Sequence, residues 1–173
     1  MLSPDPAPLS PERTFFSLSA AVGSLPAERM APVHRQLLAY WTSKRGVRRA
    51  PRRTDFDPVD LPKALQHLAI WVPDEDGDYR CRLSGSEVDG SVGSSLRGVT
   101  LRGIPCTQQG EAQTEFDAVR DRAHGSLVER TMNWAGRPYR YYRHLLLPFL
   151  DERDRVSMLL SVLSFHRIAD YHG

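Results

Sequence analysis

Two histidines, His67 and His144, lie in stretches rich in β-favouring residues, and Cys81 and Cys106 are the chain's two thiols. A haem or metal site would need one of these histidines inside a pocket with further ligands to complete the shell. The sequence holds no CxxC and no histidine pair at ligand spacing, so no metal ligand is assigned and both histidines are taken as surface or hydrogen-bonded core groups. Cys81 shares one side of an alternating run with Tyr79 and Leu83, where a thiol behaves as a small apolar group. Cys106 falls in a loop, and an activated thiolate would need a neighbouring cation or cofactor that the sequence does not name.

Serine, histidine and acidic residues all occur, but no GxSxG or comparable nucleophile setting does. The glycines of "SLRGVTLRG" do not follow a strand to open a helix, so Gly98 is taken to permit a turn rather than to cradle a phosphate. Catalytic residues are therefore not assigned. Arg140, Tyr141, Tyr142 and Arg143 interleave bases with aromatics, as single-strand nucleic-acid platforms do. Strand alternation divides them between two faces and dilutes such a platform. The strongest local charge is "KRGVRRAPRR", with six cations in ten positions from Lys44 to Arg53. Arg48, Arg49, Arg52 and Arg53 are its candidates for contact with an anionic partner.

The whole chain does not share that charge. Its 23 basic and 21 acidic residues leave a net +2 over 173 residues, less than a dedicated nucleic-acid binder carries. Nucleic acid is thus the second reading, resting on segment 44–53. Two cysteines fit a reducing compartment, and no run approaches a membrane-spanning length. The apolar "FFSLSAAVGSLPA" after Arg13 faintly resembles a signal-peptide core, but the leading "MLSPDPAPLSPE" carries two acids and no basic side chain, the wrong sign for one. A cytoplasmic location is expected.

The elements that must position these residues follow from periodicity. Residues 1–26 hold five prolines and little pattern, and are read as a flexible tail. Over 27–46, Met30, Val33, Leu37 and Trp41 recur at three- and four-residue spacing, which predicts an amphipathic helix with Pro32 in its first turn and Gly46 at its end. Asp57 and Pro58 open a short helix. Residues 67–72 and 78–84 form a hairpin around the acidic "DEDG". After a glycine- and serine-rich stretch, Ala112, Phe116, Val119 and Ala123 mark a second amphipathic helix. Three strands close the chain: "SLVERTMNW", "YRYYRHLLLPFL" and "VSMLLSVLSF". The last is apolar on both faces, which places it in the middle of a sheet covered on both sides. Together these predict an α+β domain over 47–168 with a five-stranded antiparallel sheet and flanking helices.

The order and the motifs resemble the PAS domain, and among these the bacterial subfamily found in short, nearly single-domain PAS proteins. The resemblance rests on "YW" at 40–41, "RRTDFDPVDLPKALQHLAIW" at 52–71, "YRCRLSGSEV" at 79–88, "SLRGVTL" at 95–101 and "YRHLLLPFLDERDRVSMLLSVLSF" at 142–165. Val47 and Arg48 stand where the subfamily has glycines, and the chain has fewer acids around 86–92. The cysteine in an asparagine-containing helical motif that marks flavin-binding photoreceptors of this kind is not found.

The resemblance implies a non-enzymatic sensory or regulatory module, with a pocket between the sheet and short helices that can enclose a small ligand. Trp71, Trp134 and Tyr141 are the candidate ligand-binding side chains. The cofactor, if any, is not named by the sequence. The resemblance also implies signal transduction through protein–protein interaction, as a homodimer or with a signalling protein. Met30, Val33, Leu37 and Trp41 are the candidate interface, on a helix packed on the sheet or at a dimer interface. A kinase, cyclase or DNA-binding output domain is not expected within the remaining residues.

Overall fold

The computed structural model describes residues 16–17, 30–104, 109–131 and 140–167. Trp134, Cys106 and the "AGRP" turn at 135–138 lie outside the described residues, as does most of the segment read as a tail.

Helix α1 runs over Pro32–Arg45. Its first turn opens with Pro32 and is capped from within: the Ala31 amide donates to His34 Nδ1 at 3.2 Å, which satisfies one of the amides a helix start leaves free. Lys44 and Arg45 occupy the last turn, where the dipole favours cations, and Gly46 ends the helix at φ +57°. Short 3-10 turns follow at Arg53–Asp55, Pro58–Asp60 and Leu65–His67. Asp57 caps the second by accepting from the Val59 amide at 3.0 Å. Strands β2 (Leu68–Pro73) and β3 (Tyr79–Ser84) form the expected hairpin, closed by Gly77 at φ +73°. Helix α2 (Ser86–Val92) and helix α3 (Gln109–Arg122) are the excursion before β4 (Ser126–Thr131), β5 (Arg140–Leu150) and β6 (Val156–Arg167).

The five strands are antiparallel in the order β4-β5-β6-β2-β3. A sixth, β1 (Phe16–Ser17), pairs with the free edge of β4 through Leu127 and Ser126. This pair lies inside the stretch read as a tail, where two residues are too few to leave a periodic signal. β6 takes the central place that its two apolar faces predict.

One face of the sheet packs against α1. Leu37, Leu38 and Trp41 meet Leu145, Leu147, Leu160 and Val162, and the Trp41 indole donates to the Pro148 carbonyl at 2.8 Å. The stripe expected to meet a partner is therefore turned inward: Met30, Leu37 and Trp41 are buried in their own chain and Val33 packs against them half-buried. Helical spacing reports that a face is apolar, not what covers it. On the other face Leu146, Leu159 and Trp71 pack under α2 and α3 through Val88, Phe116 and Val119. Gly85 at the end of β3 allows this side to close. A Cβ there would lie 2.2 Å from the Leu65 carbonyl oxygen and 2.5 Å from the Gln66 backbone.

Candidate functional site: a small cavity beside a buried polar chain

Between α2, α3 and the inner face of the sheet lies a cavity of about 70 Å³. Trp71, Phe116, Leu101, Leu163 and Ala69 give it mostly apolar walls, and Arg130 and His144 reach one side. Register explains this set. Ala69 is opposite Ser161, His144 opposite Leu163 and Val128, and Tyr142 opposite Phe165 and Arg130. Side chains of every second residue share a face, so these groups form one lattice beneath α3. Phe116 lies over it, stacked on the His144 ring with centroids 5.9 Å apart and edge-on to Trp71 at 5.6 Å.

The polar groups form a connected chain. Trp71 Nε1 donates to Ser161 Oγ at 3.1 Å, and Ser161 Oγ is 2.7 Å from His144 Nε2. His144 Nδ1 faces the Glu115 carboxylate at 3.3 Å. Glu115 also accepts from Ser126 Oγ and from Arg130 Nη1, both at 2.6 Å. Glu115 is 2% exposed and Arg130 3% exposed, so both ions depend on these partners. Burial alone would raise the Glu115 carboxyl. His144 and Arg130 more than offset that and hold it at about 2. Burial would likewise lower Arg130, but the carboxylate beside it raises it. With a neutral imidazole, one proton arrangement satisfies the chain: Ser161 accepts from Trp71 and donates to Nε2, and Nδ1–H donates to Glu115.

Ser161, His144 and Glu115 thus have the connectivity of a nucleophile, a base and an orienting carboxylate. The surroundings do not complete an acyl-transfer site. Ser161 lies in the central strand, paired with Ala69 on one side and Leu146 on the other, so its neighbouring backbone amides belong to the sheet rather than to an oxyanion. The hydroxyl is also engaged by Trp71 and buried. What the arrangement can do is hold α3 rigidly to four strands beside a cavity.

Sequence reasoning found part of this site. Trp71 lines the cavity. Tyr141 does not: it is on the opposite face, stacked on His166 at 5.0 Å, and its neighbour Tyr142 faces the cavity. Shifting parity by one residue moves a side chain through the sheet. His144 is a hydrogen-bonded core group, as read. Glu115, Arg130 and Ser161 were missed. The available signal was a carboxylate on a buried helical stripe, three residues after Ala112 and four before Val119.

The basic run is largely tied to its own chain. Arg48 pairs with Asp55 at 2.6 Å and donates to the Lys44 carbonyl. Arg52 pairs with Asp154 at 3.0 Å and donates to the Asp151 carbonyl. Arg49 donates to the Asp154 carbonyl. The side chain of Arg53 is exposed and has no partner among the described residues. Cys81 is buried, and burial pushes its thiol up to about 11. Among the described residues no group of three or more His, Cys, Asp or Glu could hold a metal ion, and no helix is long and apolar enough to cross a membrane.

Comparison with known proteins agrees with this architecture. The PAS domain family model matches residues 29–164, and the chain belongs to that family. It is, in the broad sense of the family, a sensory or regulatory module. A search of curated proteins gives no match. Among solved structures, one titled "Structure of an RNA-binding Light-Oxygen-Voltage Receptor" is similar at 12% identity and a TM-score of 0.43. The match covers 92% of this chain and 39% of that one, so the chain spans well under half of its length.

Proposed function

We propose that this chain is a non-enzymatic sensory module that admits a small, uncharged and largely apolar ligand to the cavity beneath α3. It passes the signal on through contact with a signalling protein or a second copy of itself. The observation that carries this reading is the cavity itself, with apolar walls and a charged edge whose ions are already paired. A charged ligand would have to break the Arg130–Glu115 pair, whereas an apolar one gains burial without doing so. At about 70 Å³ the space is far below that of drug-sized sites, which span roughly 300–1,000 Å³. The ligand is accordingly small.

Contact with a second copy through the apolar stripe of α1 has less support, because that stripe is covered by the chain's own sheet. A nucleic-acid role for residues 44–53 also has less support, since Arg48, Arg49 and Arg52 are held by local partners.

The test is titration of the purified chain with xenon, following quenching of Trp fluorescence and thermal stability, alongside native mass spectrometry against the chain mass of 19.6 kDa. The reading expects a saturable response that Ala112→Leu abolishes by filling the cavity, or a bound mass that this variant loses. A chain that shows neither, or an Ala112→Leu variant that responds like the parent, would overturn it.

A further inference from the structure

Away from that cavity, an open basin of about 590 Å³ lies beside the β5–β6 turn. Four guanidinium side chains from three parts of the sequence converge there: Arg49 and Arg53 from the basic run, Arg120 from the last turn of α3, and Arg155 from the turn before β6. Two carboxylates share the rim. Asp121 is paired with Arg120 at 2.9 Å, and Asp151 with Arg155 at 3.2 Å. Among the described residues that leaves two cations without a carboxylate, Arg49 with only a backbone carbonyl and Arg53 with no partner. Ser157, also lining the basin, has a buried Oγ with no hydrogen-bond partner. Nearby His124 is lowered by burial and then by the charges of Arg122 and Arg49, a second sign that positive charge is in excess here.

The form of the site limits what it can take. Guanidinium forks match phosphate oxygens in pairs and are weakly hydrated, so they favour phosphate over a simple halide. Val72, Pro73 and Val156 add apolar surface beside the cations, which a bare inorganic ion would not use. The two rim carboxylates interrupt the positive surface. A nucleic-acid strand needs a continuous cationic track for successive phosphates, so the pattern suits one compact anion.

We propose that this basin is a binding site for a small organic phosphate, with the phosphate held by Arg49 and Arg53 and its carbon skeleton against Val72, Pro73 and Val156. The site is separate from the cavity and does not depend on its occupancy.

Isothermal titration of the full chain with ATP, inorganic phosphate and a single-stranded RNA decamer tests it. Binding of ATP is expected to be stronger than that of inorganic phosphate. It should weaken at least tenfold in Arg49→Gln/Arg53→Gln and be unchanged in Arg97→Gln, an exposed arginine elsewhere on the surface. Should the double variant prove poorly folded by thermal melting, Arg53→Gln alone serves, because its side chain has no partner to lose among the described residues; at least a threefold weakening is then expected. No ATP binding at millimolar concentration would overturn the proposal. So would equal affinity in the folded variants, or RNA binding that strengthens with strand length. Xenon binding under α3 is read out separately, so either site can fail alone.

Discussion

Glu115 on α3 and Arg130 on β4 are joined by a 2.6 Å ion pair with both side chains at most 4% exposed. Removing Glu115 leaves the buried Arg130 with only the longer contacts to Glu111, its carboxylate at 4.0 Å and its carbonyl at 3.4 Å. Glu115→Gln should cost about 3–5 kcal/mol in urea denaturation, the usual range for breaking such a pair. The double variant Glu115→Leu/Arg130→Met should be more stable than Glu115→Gln, since two apolar groups leave no orphaned charge. If the double variant loses as much as the single one, the pair is not the origin of the cost.

His34 and Glu115 give stability two separate pH windows. Burial, then the charges of His144, His166 and Arg143, lower His34 from 6.5 to about 3. Between those values the unfolded chain binds the proton and the folded chain does not. The contribution is therefore full above pH 6.5 and declines as pH falls towards 3, by on the order of 1.4 kcal/mol per pH unit. Glu115, depressed from 4.5 to about 2, adds a second loss only below pH 4.5. Stability measured from pH 7 to 5 should fall in the parent chain and fall less steeply in His34→Gln, where only the lowered His124 still adds to the slope. An identical slope in both would rule out His34 as the cause.

Gly85 should not tolerate a methyl group. The obstacle is backbone, the Leu65 and Gln66 carbonyl region, rather than a movable side chain. Gly85→Ala is expected to destabilise by ~3 kcal/mol, at the upper end of overpacking. Gly90→Ala, with nothing within 4 Å and in the middle of α2, should be neutral or slightly stabilising. Chemical denaturation of the two variants side by side makes the comparison.

The thiol of Cys81 should be silent. It is buried and donates to the Leu83 carbonyl at 3.2 Å, and its pKa is pushed up to about 11. In a Cys106→Ser background, a disulfide reagent at pH 8 should label the native chain far more slowly than the urea-unfolded chain. Rapid labelling of the native chain would contradict the burial.

Much of the fold was legible because apolar pattern and layer geometry constrain each other. Val162 and Leu163 are both apolar, and only a central strand has cover for both. Both faces of β6 are indeed packed. The tyrosine pair shows where such reading stops. In "YRYYRH" every position is polar or aromatic, so alternation gives no inside and outside, and Tyr141 was chosen where Tyr142 faces the cavity. The stripe from Met30 to Trp41 was legible, but the choice between its two possible covers, the sheet or a partner, was not, because a sheet and a second helix bury the same periodicity. The polar chain was least legible. Glu115 and Arg130 are 15 residues apart, and Glu115 and His144 29 apart. Only tertiary register brings them together.

The strand order sets the timing of folding during synthesis. β2 finds its inner neighbour in β6, and Trp71 meets Ser161 across 90 residues. Until residues 156–167 have left the ribosome, the β2–β3 hairpin has one unpaired flank and α1 has only part of its sheet to cover. Isolated two-stranded hairpins are marginal in water, and contacts this distant are slow to form. The nascent chain therefore carries an open strand edge and an exposed apolar helix face until β6 emerges, and that strand acts as the closing wedge.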